Sequence, residues 1–185
     1  MSAPKLYMLL IGCKPKGRNT EQHDTLFAVG HSLKELVSQI KAFWRGASPL
    51  HLDAIRVVEN VDGHTVRILP KTVDQPDSPL KLFFINLGGY KENEFDEFHY
   101  KMLVAANSKP EAVARAKQTA FFKHYGYNNN AHIDDRYGID VDDFFEIKDI
   151  LLPADKMNYT VWVEQSETTL PADKIELGYF KVDEL

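Results

Sequence analysis

One cysteine in 185 residues, Cys13, excludes an intrachain disulfide and a thiolate zinc cage. No apolar run approaches the roughly 18 residues that a membrane-spanning helix needs. The opening Met1–Ile11 is too short for a secretory leader and lacks its small-residue cleavage site. Positive charge is not in surplus either: 22 Lys and Arg stand against 27 Asp and Glu, a formal net charge of −5, which argues against a duplex nucleic-acid binder. With 44% apolar and 26% charged residues, the remaining expectation is an ordinary globular protein of the cytoplasm. Its length suits one sizeable domain or two small ones of about 90 residues each.

The chain resembles itself. Lys5-Leu-Tyr-Met-Leu-Leu-Ile-Gly12 falls on Lys81-Leu-Phe-Phe-Ile-Asn-Leu-Gly88 at an offset of 76 residues. The same offset carries Glu21 to Glu97, His23 to His99, Ser32 to Ser108, Glu35 to Glu111, Val37 to Val113 and Lys41 to Lys117. Positions 5–41 thus hold nine identities in 37 pairs, where average residue usage supplies roughly two. Past the helix the offset becomes 81, and His51-Leu52-Asp53 falls on His132-Ile133-Asp134. The reading is a tandem duplication with a five-residue insertion.

Each copy begins with a short apolar run closed by Gly12 or Gly88, which suits a strand ending in a turn with positive φ. Second strands follow at about 22–30 and 97–106. In the latter, Phe98, Tyr100, Met102 and Val104 alternate with Glu97, His99 and Lys101, the period of a strand with one buried face. Ser32-Leu-Lys-Glu35 and Ser108-Lys-Pro-Glu111 have the spacing of capping boxes and start helices. Leu33, Leu36, Val37, Ile40, Phe43 and Trp44 form one apolar stripe on the first of these. Third strands are expected at about 51–59 and 132–139. A hairpin at Val61-Asp62-Gly63 leads to His64–Leu69, with Asp143–Leu152 as its counterpart. Two C-terminal strands, Tyr159–Glu164 and Ile175–Val182, complete the pattern. The predicted fold is α+β, built from tandem ββαββ repeats related by a pseudo-two-fold. Each repeat packs one amphipathic helix on a mostly antiparallel sheet. The copies span residues 1–70 and 80–153, with a linker at 71–79 and a C-terminal β-hairpin within 154–185.

Among the repeated polar residues, serines and glutamates have capping roles. Glu-x-His (Glu21/His23 and Glu97/His99) and His-x-Asp (His51/Asp53 and His132/Asp134) remain. Residues i and i+2 of a strand share a face. With the helix covering one face, these pairs point from the other, so each copy presents two imidazoles and two carboxylates on a bare sheet surface. Such a group suits a divalent transition metal or general acid–base work; a hydrogen bond that fixes register or an interface is the plainer reading. Lys14, Lys16 and Arg18 form a basic loop able to hold a phosphate or carboxylate, although it lacks the spacing of a P-loop. The acidic cluster Asp134, Asp135, Asp140, Asp142 and Asp143 fails the EF-hand pattern and reads as a solvated loop.

Gly12–Asp24, Ser32–Glu35, Phe43-Trp44, His51–Asp53, Lys81–Tyr90, Phe98–Met102, Ala116–Ala120, His132–Asp135 and Leu177–Lys181 together resemble the bacterial family known as domain of unknown function 1543. Members carry one or two copies of the unit, and the resemblance implies a bacterial protein without an assigned activity or functional residues. The expected function is a non-enzymatic binding or assembly module that forms a dimer or higher homo-oligomer, with a small-molecule ligand as a further partner. No cofactor is required by this reading, and neither duplex nucleic acid nor membrane is a partner. The alternative is a metal-binding protein or metal-assisted hydrolase that uses the His and acidic pairs.

Overall fold

A computed structural model of the chain describes residues 3–74, 76–90, 93–118 and 140–185. The fold is α+β, with mostly antiparallel sheets and few helices. Strands β1 (Lys5–Cys13), β2 (Gln22–Gly30), β3 (His51–Val58) and β10 (Ile175–Lys181) form a four-stranded sheet in the order β10-β3-β1-β2. The short β4 (Asn60–Val61), β5 (His64–Pro70) and β9 (Tyr159–Gln165) make a three-stranded sheet. A further sheet has the order β7-β6-β8, from β6 (Lys81–Tyr90), β7 (Glu97–Ala106) and β8 (Asp140–Glu146). The helices are short: α1 (Val37–Phe43), preceded by a 3-10 turn at Leu33–Leu36, α2 (Lys109–Ala116), α3 (Ile147–Ile150) and α4 (Pro153–Asn158).

The unbroken apolar runs of β1 and β6 follow from burial on both faces. On one face of the first sheet, Tyr7, Leu9, Ile11, Leu26, Leu52 and Ile55 pack with Leu36 and Ile40 of the helical segment. On the other, Leu6, Phe27, Val29 and Val58 join Val66, Ile68 and Val163 of the middle sheet and Leu82, Phe84 and Leu103 of the third. Phe27 meets Phe84 edge-on at 5.2 Å between ring centroids. The sheet face opposite the helix is therefore covered along its apolar length, and only its polar end is open. This corrects the expected bare face: alternation in β7 hid the fact that Leu103 and Ala105, on the face away from α2, are also core residues. Phe98 and Met102 pack toward α2 as expected, whereas Tyr100 is exposed.

Local expectations fare unevenly. Asp62 and Gly63 have φ of 53° and 77°, the two left-handed residues that a tight hairpin of matching twist requires, and they join β4 to β5. Neither Ser32 nor Ser108 makes a side-chain cap. Both serines are fully extended, and each glutamate reaches one residue further back: the His31 N–H donates to Glu35 Oε2 at 2.9 Å and the Asn107 N–H to Glu111 Oε2 at 3.1 Å.

Two topological expectations are corrected. No hairpin joins the C-terminal strands: β9 pairs with β5, while β10 crosses to β3. Asp173 fixes that crossing, since its carboxylate takes a double contact from Arg56 (3.0 Å from both Nε and Nη2) and accepts the N–H of Asn60 at 2.9 Å. The segment expected as a strand at 143–152 is instead the end of β8 followed by helical turns. Strand β8 is the direct partner of β6, the place reserved for 132–139, which lies outside the described residues. Asp140, Asp142 and Asp143 accordingly belong to a strand rather than a loop.

Strand β2 lies at a sheet edge, and a buried carboxylate closes part of it. Asp155 Oδ2, from α4, accepts the Val29 N–H at 3.0 Å. Burial pushes the Asp155 carboxyl above its ordinary range, against the opposing pull of that N–H. A raised folded-state value means that its stabilising contribution is full at pH below the unfolded carboxyl value and is lost as pH rises through the folded one. Asp155→Asn keeps an acceptor without the charge. The variant is expected to melt higher than wild type at neutral pH, with the gain shrinking as pH falls into the carboxylate range; thermal melts across pH check this.

Candidate metal centre

Three neighbouring strands bring the polar end together. Gly12 of β1 stands opposite His23 of β2 on one side and His51 of β3 on the other. A register shift between Leu10 and Ile11 leaves Asp53 as the extra residue of β3, and such bulges re-aim side chains. Glu21 immediately precedes β2. Gly12 is not a turn residue with positive φ, as its position after an apolar run suggested; it lies inside β1. Its role is spatial: a Cβ there would collide with His51 Nε2 and come within 2.8 Å of Asp53 Oδ2.

The donor atoms converge. His23 Nε2 is 2.7 Å from Asp53 Oδ2 and 3.7 Å from Glu21 Oε2. His51 Nε2 is 3.1 Å from Glu21 Oε1 and 3.4 Å from Asp53 Oδ1. Ligand atoms of Glu21, His23 and His51 all lie within 4.8 Å of one another. Despite this closeness, His51 Nε2 and Asp53 Oδ2 are buried without a hydrogen-bond partner of acceptable geometry. Carboxylate and imidazole lone pairs turned on a common point repel unless a proton or a cation lies among them. His51 is only 2% exposed, while Glu21 and His23 are open to solvent, so the group forms a floor with one accessible side. Tyr179 of β10 stacks on the His51 ring at 4.1 Å and 24°. The bulge between Leu177 and Phe180 accompanies that placement.

The corresponding place in the third sheet differs. Gly88 stands opposite His99 and opposite Asp140, so strand pairing puts Asp140, and not His132, across from the glycine. His132 and Asp134, which the match at offset 81 aligns with His51 and Asp53, lie outside the described residues. His99 is engaged with Asn86 at 3.2 Å (Nδ1 to Nδ2), and Asn86 Nδ2 donates to Asp143 Oδ2 at 3.1 Å. Glu97 Oε2 is 3.8 Å from His99 Nε2. Glu97 and His99 are thus brought together, without a second described imidazole beside them.

Lys14, Lys16 and Arg18 are exposed in the loop joining β1 to β2. That loop turns tightly, with Gly17 at φ 81° and the Arg18 N–H donating to Pro15 O at 3.1 Å. Cys13 is buried on the helix side of the sheet. Sequence reasoning found Glu21, His23, His51 and Asp53 but missed the steric role of Gly12 and the contact with Tyr179. The second had no local signal, because β10 is more than a hundred residues from His51 in the chain.

The fold has a solved counterpart. A structure described as "Crystal structure of a protein Il1583 from Idiomarina loihiensis" matches with a TM-score of 0.63 and 23% sequence identity over 97% of each chain; this likeness concerns the fold alone. No curated protein matches the chain. Residues 18–68 match the family described as Domain of Unknown Function (DUF1543). Glu21, His23, His51 and Asp53 all fall in the stretch that is similar to that family.

Proposed function

We propose that this protein binds a divalent transition-metal ion, with Glu21, His23 and His51 as ligands and Asp53 as a further carboxylate on the same Nε2 side of both imidazoles. The observation that carries the reading is the buried His51 Nε2, which lacks a hydrogen-bond partner and faces the converging Glu21 and His23 atoms. Two imidazoles and one carboxylate on one side of an ion are the donor set of Zn, Fe(II) or Mn sites with open positions. Calorimetric titration of tag-free protein with zinc should show uptake of about one equivalent. Flat isotherms with zinc, manganese and ferrous iron overturn the reading.

The same proposal includes descent of the two halves from one duplicated ββαββ unit in a cytoplasmic protein, with the metal centre kept in the first copy. Supporting this are the bulges at Leu10/Ile11 and Asn86/Leu87, which stand 76 residues apart, as do the Gly12–His23 and Gly88–His99 pairings. Assembly into a homodimer is a second reading, favoured by the edge strand β10, where Ile175, Leu177 and Tyr179 are exposed. An edge strand can pair with its own copy about a two-fold axis. A monomer mass by light scattering at high protein concentration overturns it.

A further inference from the structure

Resting on the metal reading, we infer that the centre takes an oxyanion ligand, a phosphoryl group, held between the open side of the metal and the loop that carries Lys14, Lys16 and Arg18. The loop belongs to the site by construction. The last paired residues before it are Cys13 and Gln22, next to the Gly12–His23 pair, and Glu21 is its final residue. Arg18 lies three residues from Glu21, within about 10 Å along the chain, and Lys14 lies two residues from Gly12. All three cationic side chains are exposed, and among the described residues none makes an ion pair or side-chain hydrogen bond.

Charge fixes the sign of the ligand. A divalent ion with Glu21 and Asp53 beside it is neutral as a unit, so the three cations of the loop that ends at Glu21 give that side of the site a positive charge in a chain of net charge −5. Asp24, the nearest other acid in sequence, follows His23 directly and so projects from the opposite face of β2; its Oδ1 accepts the Thr25 N–H at 2.7 Å. Three protein ligands leave at least one metal position for an oxygen donor. A phosphoryl group can place one oxygen there and offer the others to the guanidinium and ammonium groups. Tyr179, stacked on His51, adds an aromatic wall on the β10 side.

Cobalt(II)-loaded protein separates this inference from the one beneath it, because the visible spectrum of the ion reports its own coordination. Inorganic phosphate is expected to change that spectrum saturably. The triple variant Lys14→Ala/Lys16→Ala/Arg18→Ala should load cobalt with the wild-type spectrum and bind phosphate about tenfold more weakly. Acetate serves as the second arm; tighter binding of acetate than of phosphate overturns the assignment to a phosphoryl group. If the wild-type protein loads cobalt but phosphate leaves the spectrum unchanged, or if the triple variant binds phosphate equally well, the inference fails and the metal reading stands. Failure of the wild-type protein to take up cobalt overturns both.

Discussion

Phe27→Ala is expected to lower the unfolding free energy by about 3–5 kcal/mol, the range for emptying a buried phenylalanine site. Phe27 is 1% exposed and reaches from the first sheet to the third, where its ring meets Phe84 edge-on. Removing it forfeits the transfer of the ring from water and leaves a cavity between two sheets that other contacts hold apart, so collapse is limited. The loss is a large part of the 5–15 kcal/mol typical of a whole domain. For a chain of this length it corresponds to a melting point about 6–20 °C lower. Trp44 lies after α1 and Trp162 in β9, so fluorescence during urea unfolding follows both regions. Because the core around Phe27 includes residues of all three sheets, one transition with a lower midpoint is expected. A loss below about 1 kcal/mol, or unfolding of one region alone, contradicts the shared core. A double-mutant cycle with Phe84→Ala should show coupling of about 0.5–1.5 kcal/mol, as aromatic pairs do.

His51→Ala is expected to weaken zinc binding by at least about 100-fold, the upper end of what losing even an outer-sphere partner costs. The argument rests on placement: His51 is the buried member of the group, and its Nε2 lies 3.1 Å and 3.4 Å from the Glu21 and Asp53 carboxylates. His23→Ala should also weaken binding, whereas His99→Ala should leave the zinc isotherm nearly unchanged, since His99 belongs to the Asn86–Asp143 network of the other sheet. Calorimetry on the three variants, with circular dichroism to verify folding, makes the comparison. Equal zinc affinity in His51→Ala and wild type removes the proposed ligand set. Loss of affinity in His99→Ala alone moves the site to the other sheet.

Strand positions were legible wherever hydrophobic runs met turn residues: β1, β2, β5 and β6 fall within a residue or two of their expected spans, and Asp62-Gly63 marked its hairpin by the backbone angles those residues tolerate. The pairs Glu21/His23 and His51/Asp53 were legible because residues i and i+2 share a side; their meeting across Gly12 comes from the strand ladder. Pairing between distant strands was not. Residue matching chose His132 as the counterpart of His51, while the ladder, which includes a bulge that consumes a residue, places Asp140 there. The separate destinations of β9 and β10 depend on Asp173 gripping Arg56 and the backbone near Asn60, a contact across more than a hundred residues that no local pattern announces. Burial on both faces of β7 was masked for a related reason: its outward polar residues stand at one end, and its second apolar row begins only at Leu103.

The path of β10 sets an order of events during synthesis. Glu21, His23, His51 and Asp53 emerge from the ribosome early, but the strand that flanks His51 and the tyrosine that lies over it come from residues 175–181. A growing chain thus carries its four donors at β2 and β3 before the strand that covers the free side of β3 exists. Completion of the wall over His51 waits until residues 173–181 have been made and Asp173 has docked on Arg56 and Asn60.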